Sequence, residues 1–109
     1  MANTFKRKTS NAIASTLVNV YTVPSSVTAA VIIGGVVSNT DVANTITTTI
    51  TINDGTNEIN LTGTDTPVPS GTALSFIDGK VVLETGDVVK AKGSVAGKLD
   101  VILSVMEIT

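Results

Sequence analysis

The sequence predicts an all-β protein: a single antiparallel β-sandwich of about eight strands, jelly-roll or immunoglobulin-like in its connections, with an extended N-terminal arm. Three observations carry this reading. Forty-four of the 109 residues are Val, Ile or Thr, whose branched Cβ restricts χ1 and packs well on a pleated surface. Apolar runs of strand length recur at short intervals between clusters of Gly, Pro, Asn and Asp, the spacing of an all-β domain. No segment keeps a 3.6-residue apolar period long enough for a helix of more than about two turns.

A chain of this length suits one domain, burying roughly two-thirds of the surface its unfolded form exposes. With 42% hydrophobic residues, 15% charged residues and a mean hydropathy of +0.40, it falls outside the composition of disordered chains. Sixteen charged residues are few for a small domain, whose surface commonly carries about 25–35% of them. Other protein is therefore expected to cover part of the surface, in a homo-oligomer or larger assembly; the alternative is that Thr, Ser and Asn supply the missing polarity. A net charge of −2 excludes the whole molecule as an electrostatic footprint for nucleic acid or an anionic membrane. The longest apolar run, 29–37, is less than half of the roughly 20 residues of a membrane helix, so a soluble chain without a membrane partner is expected. No apolar stretch of signal-peptide quality follows Lys6-Arg7-Lys8, which predicts synthesis in the cytoplasm without export.

Residues 1–11 are polar and basic, with Phe5 their one large apolar side chain, and read as an arm outside the sheet; the sandwich domain is expected over 12–109. A first strand is predicted over 13–23, ended by Pro24, which lacks a ladder donor. The second, over 27–38, is apolar on both parities, as a central strand covered on both faces would be. Its Gly34-Gly35 pair suggests a bulge, a bend or a close backbone approach. From Thr45 the pattern alternates: Ile46, Ile50 and Ile52 on one side, Thr47, Thr49 and Thr51 on the other, with Thr48 an exception on the apolar side. This predicts a half-buried strand with a wet threonine face. Asn53-Asp54-Gly55-Thr56 supplies a hairpin turn, since Asp-Gly tolerates the positive φ values of type I′ geometry, and the return strand over 57–61 should point Ile59 and Leu61 inward. After a loop over 62–71, short strands are predicted over 73–77, 80–83 and 88–92. A long final strand over 99–108 places Leu99, Val101, Leu103 and Val105 opposite Ile102, Met106 and Ile108, inside a sheet. Val23-Pro24-Ser25-Ser26 and Val68-Pro69-Ser70-Gly71 each introduce a strand, read as recurring strand-entry chemistry.

The catalytic toolkit is thin. With no His and no Cys, Ser-His-Asp and Cys-His constellations, thiol redox sites, disulfides and nearly all zinc sites are excluded. A glycosidase pair would have to come from Asp54, Glu58, Asp65, Asp78, Glu84, Asp87, Asp100 and Glu107, most of them at predicted turns. Asp54 to Glu58 lacks the spacing of an EF-hand loop, Gly34-Gly35 opens no helix and so cradles no phosphate, and neither a metal ion nor any other cofactor is expected. Asn60-Leu61-Thr62 matches a glycosylation acceptor by chance, on a predicted strand. Carbohydrate binding calls for aromatic platforms, and only Phe5, Tyr21 and Phe76 are present. Phe5, Lys6, Arg7 and Lys8 remain as the candidate interface; without a basic stripe elsewhere, subunit contact is favoured there over nucleic acid.

Val20-Tyr21-Thr22-Val23-Pro24, the apolar strand 29–37 ending in Ser38-Asn39-Thr40, and Val81-Val82-Leu83-Glu84-Thr85-Gly86-Asp87-Val88-Val89-Lys90 together resemble small structural proteins of tailed bacteriophage virions, over most of the chain after the arm. The resemblance implies a compact β-sandwich that decorates or cements a capsid, or builds neck and tail parts, without enzymatic activity. The expected location is the virion. The expected partners are copies of itself and a major capsid protein or neighbouring neck or tail protein. Alternatives are a neck, baseplate or tail-fibre subunit and, in other classes, a receptor- or glycan-binding sandwich or a carboxylate hydrolase.

Overall fold

A computed structural model describes residues 3–109. It contains ten strands in chain order: β1 (Asn3–Ser10), β2 (Val18–Thr22), β3 (Ala29–Asn39), β4 (Ile46–Asn53), β5 (Glu58–Asn60), β6 (Thr66–Val68), β7 (Ala73–Ser75), β8 (Val81–Glu84), β9 (Val88–Gly93) and β10 (Leu99–Ile108). There is no helix among the described residues. All pairings are antiparallel and form two five-stranded sheets packed face to face, the expected sandwich. The first sheet runs β1-β10-β3, and the far side of β3 is shared by β8 on its first half and β7 on its second. The second runs β2-β9-β4, with β5 and β6 sharing the far side of β4 in the same way.

The core follows from strand alternation. On β10, Leu99, Val101, Leu103 and Val105 are at most 2% exposed while Ile102 is 43% exposed, so the predicted parity holds over the predicted span. Facing them from β4 and β9 are Ile46, Ile50, Val89 and Ala91, all buried. Both Val-Pro tetrapeptides make the same turn, with Val27 N donating to Pro24 O at 3.1 Å and Thr72 N to Pro69 O at 3.2 Å. They feed β3 and β7, which pair with each other.

Gly34-Gly35 serves both geometries the sequence suggested. The β3–β10 register shifts between Ser104 and Val105, leaving Ile33 as the extra residue of a bulge beside the pair. A Cβ on Gly35 would sit 2.7 Å from Phe76 Cζ; only a hydrogen there lets the Phe76 ring cross between β7 and β8, where Phe76 N donates to Gly35 O.

Five expectations are corrected. Residues 3–10 are not an arm outside the sheet: they form β1, paired with β10 from Asn3↔Ile108 to Ser10↔Val101. The threonine face of β4 is not wet, because Glu58 and the 61–65 segment lie over it. Thr49 and Thr51 are 6% and 3% exposed, with Thr49 Oγ1 accepting from Asp65 N and Thr51 Oγ1 donating to Glu58. Ile59 is 51% exposed, since β5 is a three-residue edge. The 62–71 loop contains β6, and the first strand is confined to Val18–Thr22.

Candidate assembly surface

Strand alternation divides the candidate interface residues between two faces of β1. Lys6 and Lys8 stand opposite Val105 and Leu103 and turn toward the interior edge of the sandwich. There Lys6 Nζ lies 4.0 Å from Glu107 Oε1 and Lys8 Nζ lies 5.6 Å from the centre of the Tyr21 ring. Behind them Tyr21 and Glu107, 4% and 6% exposed, are joined by a 2.5 Å hydrogen bond from the phenol to the carboxylate. Burial, then that hydrogen bond, then the charge of Glu107 push the Tyr21 phenol well above its ordinary value. Both lysines thus make these contacts within their own domain.

Phe5 and Arg7 point the other way. Across the outer face of the first sheet, Phe5, Met106, Val31 and Val82 form one row over β1, β10, β3 and β8. Phe5 and Val82 are 71% and 67% exposed, and Ile33 and Ile102 add further exposed apolar surface. Between Phe5 and Ile33 the small Ser104 leaves a shallow depression of about 370 Å³, and a second of about 260 Å³ lies beside Ile102 and Val36. The charges on this face are Arg7 on β1 and, toward its ends, Asp100 on β10 and Glu84 on β8.

The outer face of the second sheet is of a different character. It bears Thr49 and Thr51, with Lys90 Nζ 3.3 Å from Glu58 Oε1 and Thr51 and Asn53 donating to the same carboxylate at 2.6 and 2.7 Å. Those bonds hold the Glu58 carboxyl below the usual carboxylate range. One face of the sandwich is thus polar and internally satisfied; the other is apolar and open.

Three further carboxylates accept from backbone amides. Asp54 Oδ1 accepts from Thr56 N and Asn57 N and closes the β4–β5 turn, Asp87 accepts from Glu84 N, and Asp100 from Ala12 N. Among the described residues no three acidic side chains gather in an arrangement that could hold a metal ion, and no helix is long and apolar enough to cross a membrane. Of the aromatics, Tyr21 is buried and only Phe5 is broadly exposed, so they build no shared platform. Sequence reasoning missed two buried polar groups. Glu107 shares its parity with Leu103 and Val105, a signal that was there to read. Asn39, 4% exposed, donates to Asn44 O and Val68 O and accepts from Asp41 N, pinning the 40–45 loop; nothing local marked it.

A scan against protein-family models finds no match, and a search of curated proteins finds none. Among solved structures, the chain is similar to one described as Bacillus endospore appendages that form disulfide-linked pili, with a TM-score of 0.55 and 17% identity over 98% of this chain and 87% of that one. Another is a pentameric capsid protein isolated from metagenomic phage sequences, with a TM-score of 0.45 and 15% identity over 97% of this chain and 61% of that one. The first shares the sandwich fold; the second, at its lower score, establishes no common topology.

Proposed function

We propose that this chain is a non-enzymatic structural subunit of a tailed-phage virion, most simply a capsid decoration or cement protein, that assembles with copies of itself and a larger virion protein. The observation that carries the reading is the contrast between the two outer faces: the apolar row of Phe5, Met106, Val31 and Val82 lies open, where a free monomer would be expected to keep large apolar patches few. Burying that row against other protein is the mechanism, with Arg7 and Phe5 on the β1 side of the contact. The absence of His and Cys and the local employment of the turn carboxylates support a role without chemistry. The pilus likeness fits an assembling sandwich, although this chain has no cysteine and any such assembly would proceed without disulfides.

Tailed-phage particles purified from the host that carries this sequence test the reading. The chain should co-purify at fixed stoichiometry, and particle-bound protein should resist heat and protease better than free subunit, because binding restricted to the folded form stabilises it by mass action. Absence from particles, together with equal stability of free and mixed protein, would overturn it.

A further inference from the structure

We propose that β1 is an exchange arm: in the assembled protein, β1 of one copy leaves its own domain and occupies the same edge of β10 in a second copy. The inference rests on the assembly reading above and adds to the outer-face contact a second one, at the edge of β10.

The hinge carries the argument. Immediately after β1, Ala12 has a φ of +51°, the left-handed region that a residue with a Cβ seldom adopts. One residue later the chain is fixed: Ile13 is 1% exposed, its N donates to Leu99 O at 2.8 Å and its carbonyl accepts from Gly97 N at 2.9 Å. Between the end of β1 at Ser10 and this anchor lie only Asn11 and Ala12, so the strand folds back onto its own β10 through a short and strained connection. Such connections favour exchange, because straightening removes the strain while every other contact is remade on the neighbour. The turn is held by one exposed hydrogen bond, from Ala12 N to Asp100 Oδ1 at 2.9 Å.

The strand itself is suited to leave. Its first five residues are exposed, and in the sheet it pairs with β10 alone. What holds it, the β10 ladder, Lys6 to Glu107 and Lys8 over Tyr21, is presented identically by a second copy. Antiparallel pairing of β1 with another β1 is opposed by Lys6-Arg7-Lys8, since like charges would face each other across the pair. A β10 edge is the seat that matches it.

Because the chain has no cysteine, a single engineered pair reports where β1 sits. Thr9 and Ile102 are register partners across β1 and β10. The T9C/I102C protein, assembled at high concentration, oxidised and then denatured without reductant, should run as covalent multimers. Independently of any cysteine, Ala12→Gly should remove the strain of the closed form and raise the concentration needed for assembly about five- to thirty-fold. Asp100→Ala should lower it by releasing the turn. Only chain-internal disulfides in an assembled protein, with Ala12→Gly assembling as wild type, would overturn the exchange while leaving the assembly reading intact. A protein that stays monomeric at every concentration and binds no particle would overturn both.

Discussion

Tyr21→Phe isolates one oxygen at the seam of the sandwich. The ring stays under Lys8 and within the core, while the hydroxyl that donates to Glu107 at 2.5 Å is lost. Both partners are almost fully buried. Lys6 gives the carboxylate little in return, since its ammonium is 4.0 Å away on a side chain 46% exposed. A short hydrogen bond to a buried carboxylate is worth about 1.5–3 kcal/mol, which for a domain of this size lowers Tm by roughly 6–15 °C. Glu107→Leu strands the phenol instead, and the double variant Y21F/E107L, which leaves neither group orphaned, should cost less than the sum of the two by about 1 kcal/mol or more. Urea unfolding followed by far-UV circular dichroism measures all three. A loss below about 0.5 kcal/mol for Y21F, within the range of an ordinary surface substitution, would mean that water reaches the pair and that the seam is open. The pH dependence has a definite sign. A phenol whose pKa is raised in the folded state contributes fully below the unfolded value of about 10, and that contribution is lost as pH rises above it. Tyr21 is the only tyrosine, so its absorbance titration should show phenolate only together with unfolding; free titration near pH 10 in folded protein would refute the burial.

Three further outcomes follow from the packing and the turns. Leu103→Ala, at a fully buried position flanked by Val101 and Val105, should cost about 2–5 kcal/mol in urea unfolding. Gly35→Val should displace the Phe76 ring, which lies 2.7 Å from the site of a Cβ, and cost about 1–3 kcal/mol by overpacking, measured in the same way. Asp41, Asp54 and Glu58 are all held below the usual carboxylate range, the first two by backbone N–H donors and Glu58 by the Thr51 and Asn53 side chains. Their contribution is present above the unfolded carboxylate value of about 4 and is lost as pH falls through their lowered folded values; thermal melts should be level through neutral pH and decline below about pH 4, and less steeply in Asp54→Ala.

Elements that announce themselves locally were legible. β10 is apolar on both parities and was delimited to its ends, and Asp54-Gly55 makes its turn with Gly55 at φ +92°, although Asp54 does not take the positive φ of a type I′ turn. What failed depended on neighbours far away in the chain. β1 reads as a solvated arm because Lys and Arg are poor strand formers, yet charged side chains are a common feature of edge strands, and only pairing with β10 makes it one. Alternation along β4 correctly divided Ile from Thr, but it cannot tell a face in water from one covered by Glu58 and the 61–65 segment. Glu107 could be placed inside by parity; its partner Tyr21, 86 residues away, could not. The same limit applies to the candidate interface: the sequence offers the arm residues as one cluster, but alternation about β1 turns Lys6 and Lys8 inward and leaves Phe5 and Arg7 on the face with Met106, Val31 and Val82, a row visible only once the sheet order is known.

The central claim is that the outer face of the first sheet is an assembly surface, and sedimentation velocity over a wide concentration range, on wild type beside V82K and, as a control on the opposite face, K92E, tests it most directly. Wild type and K92E should form discrete oligomers as concentration rises, while V82K, with an unchanged circular dichroism spectrum, should need a markedly higher concentration to do so. Oligomers that persist unaltered in V82K, or a wild type that remains a monomer throughout, would contradict it.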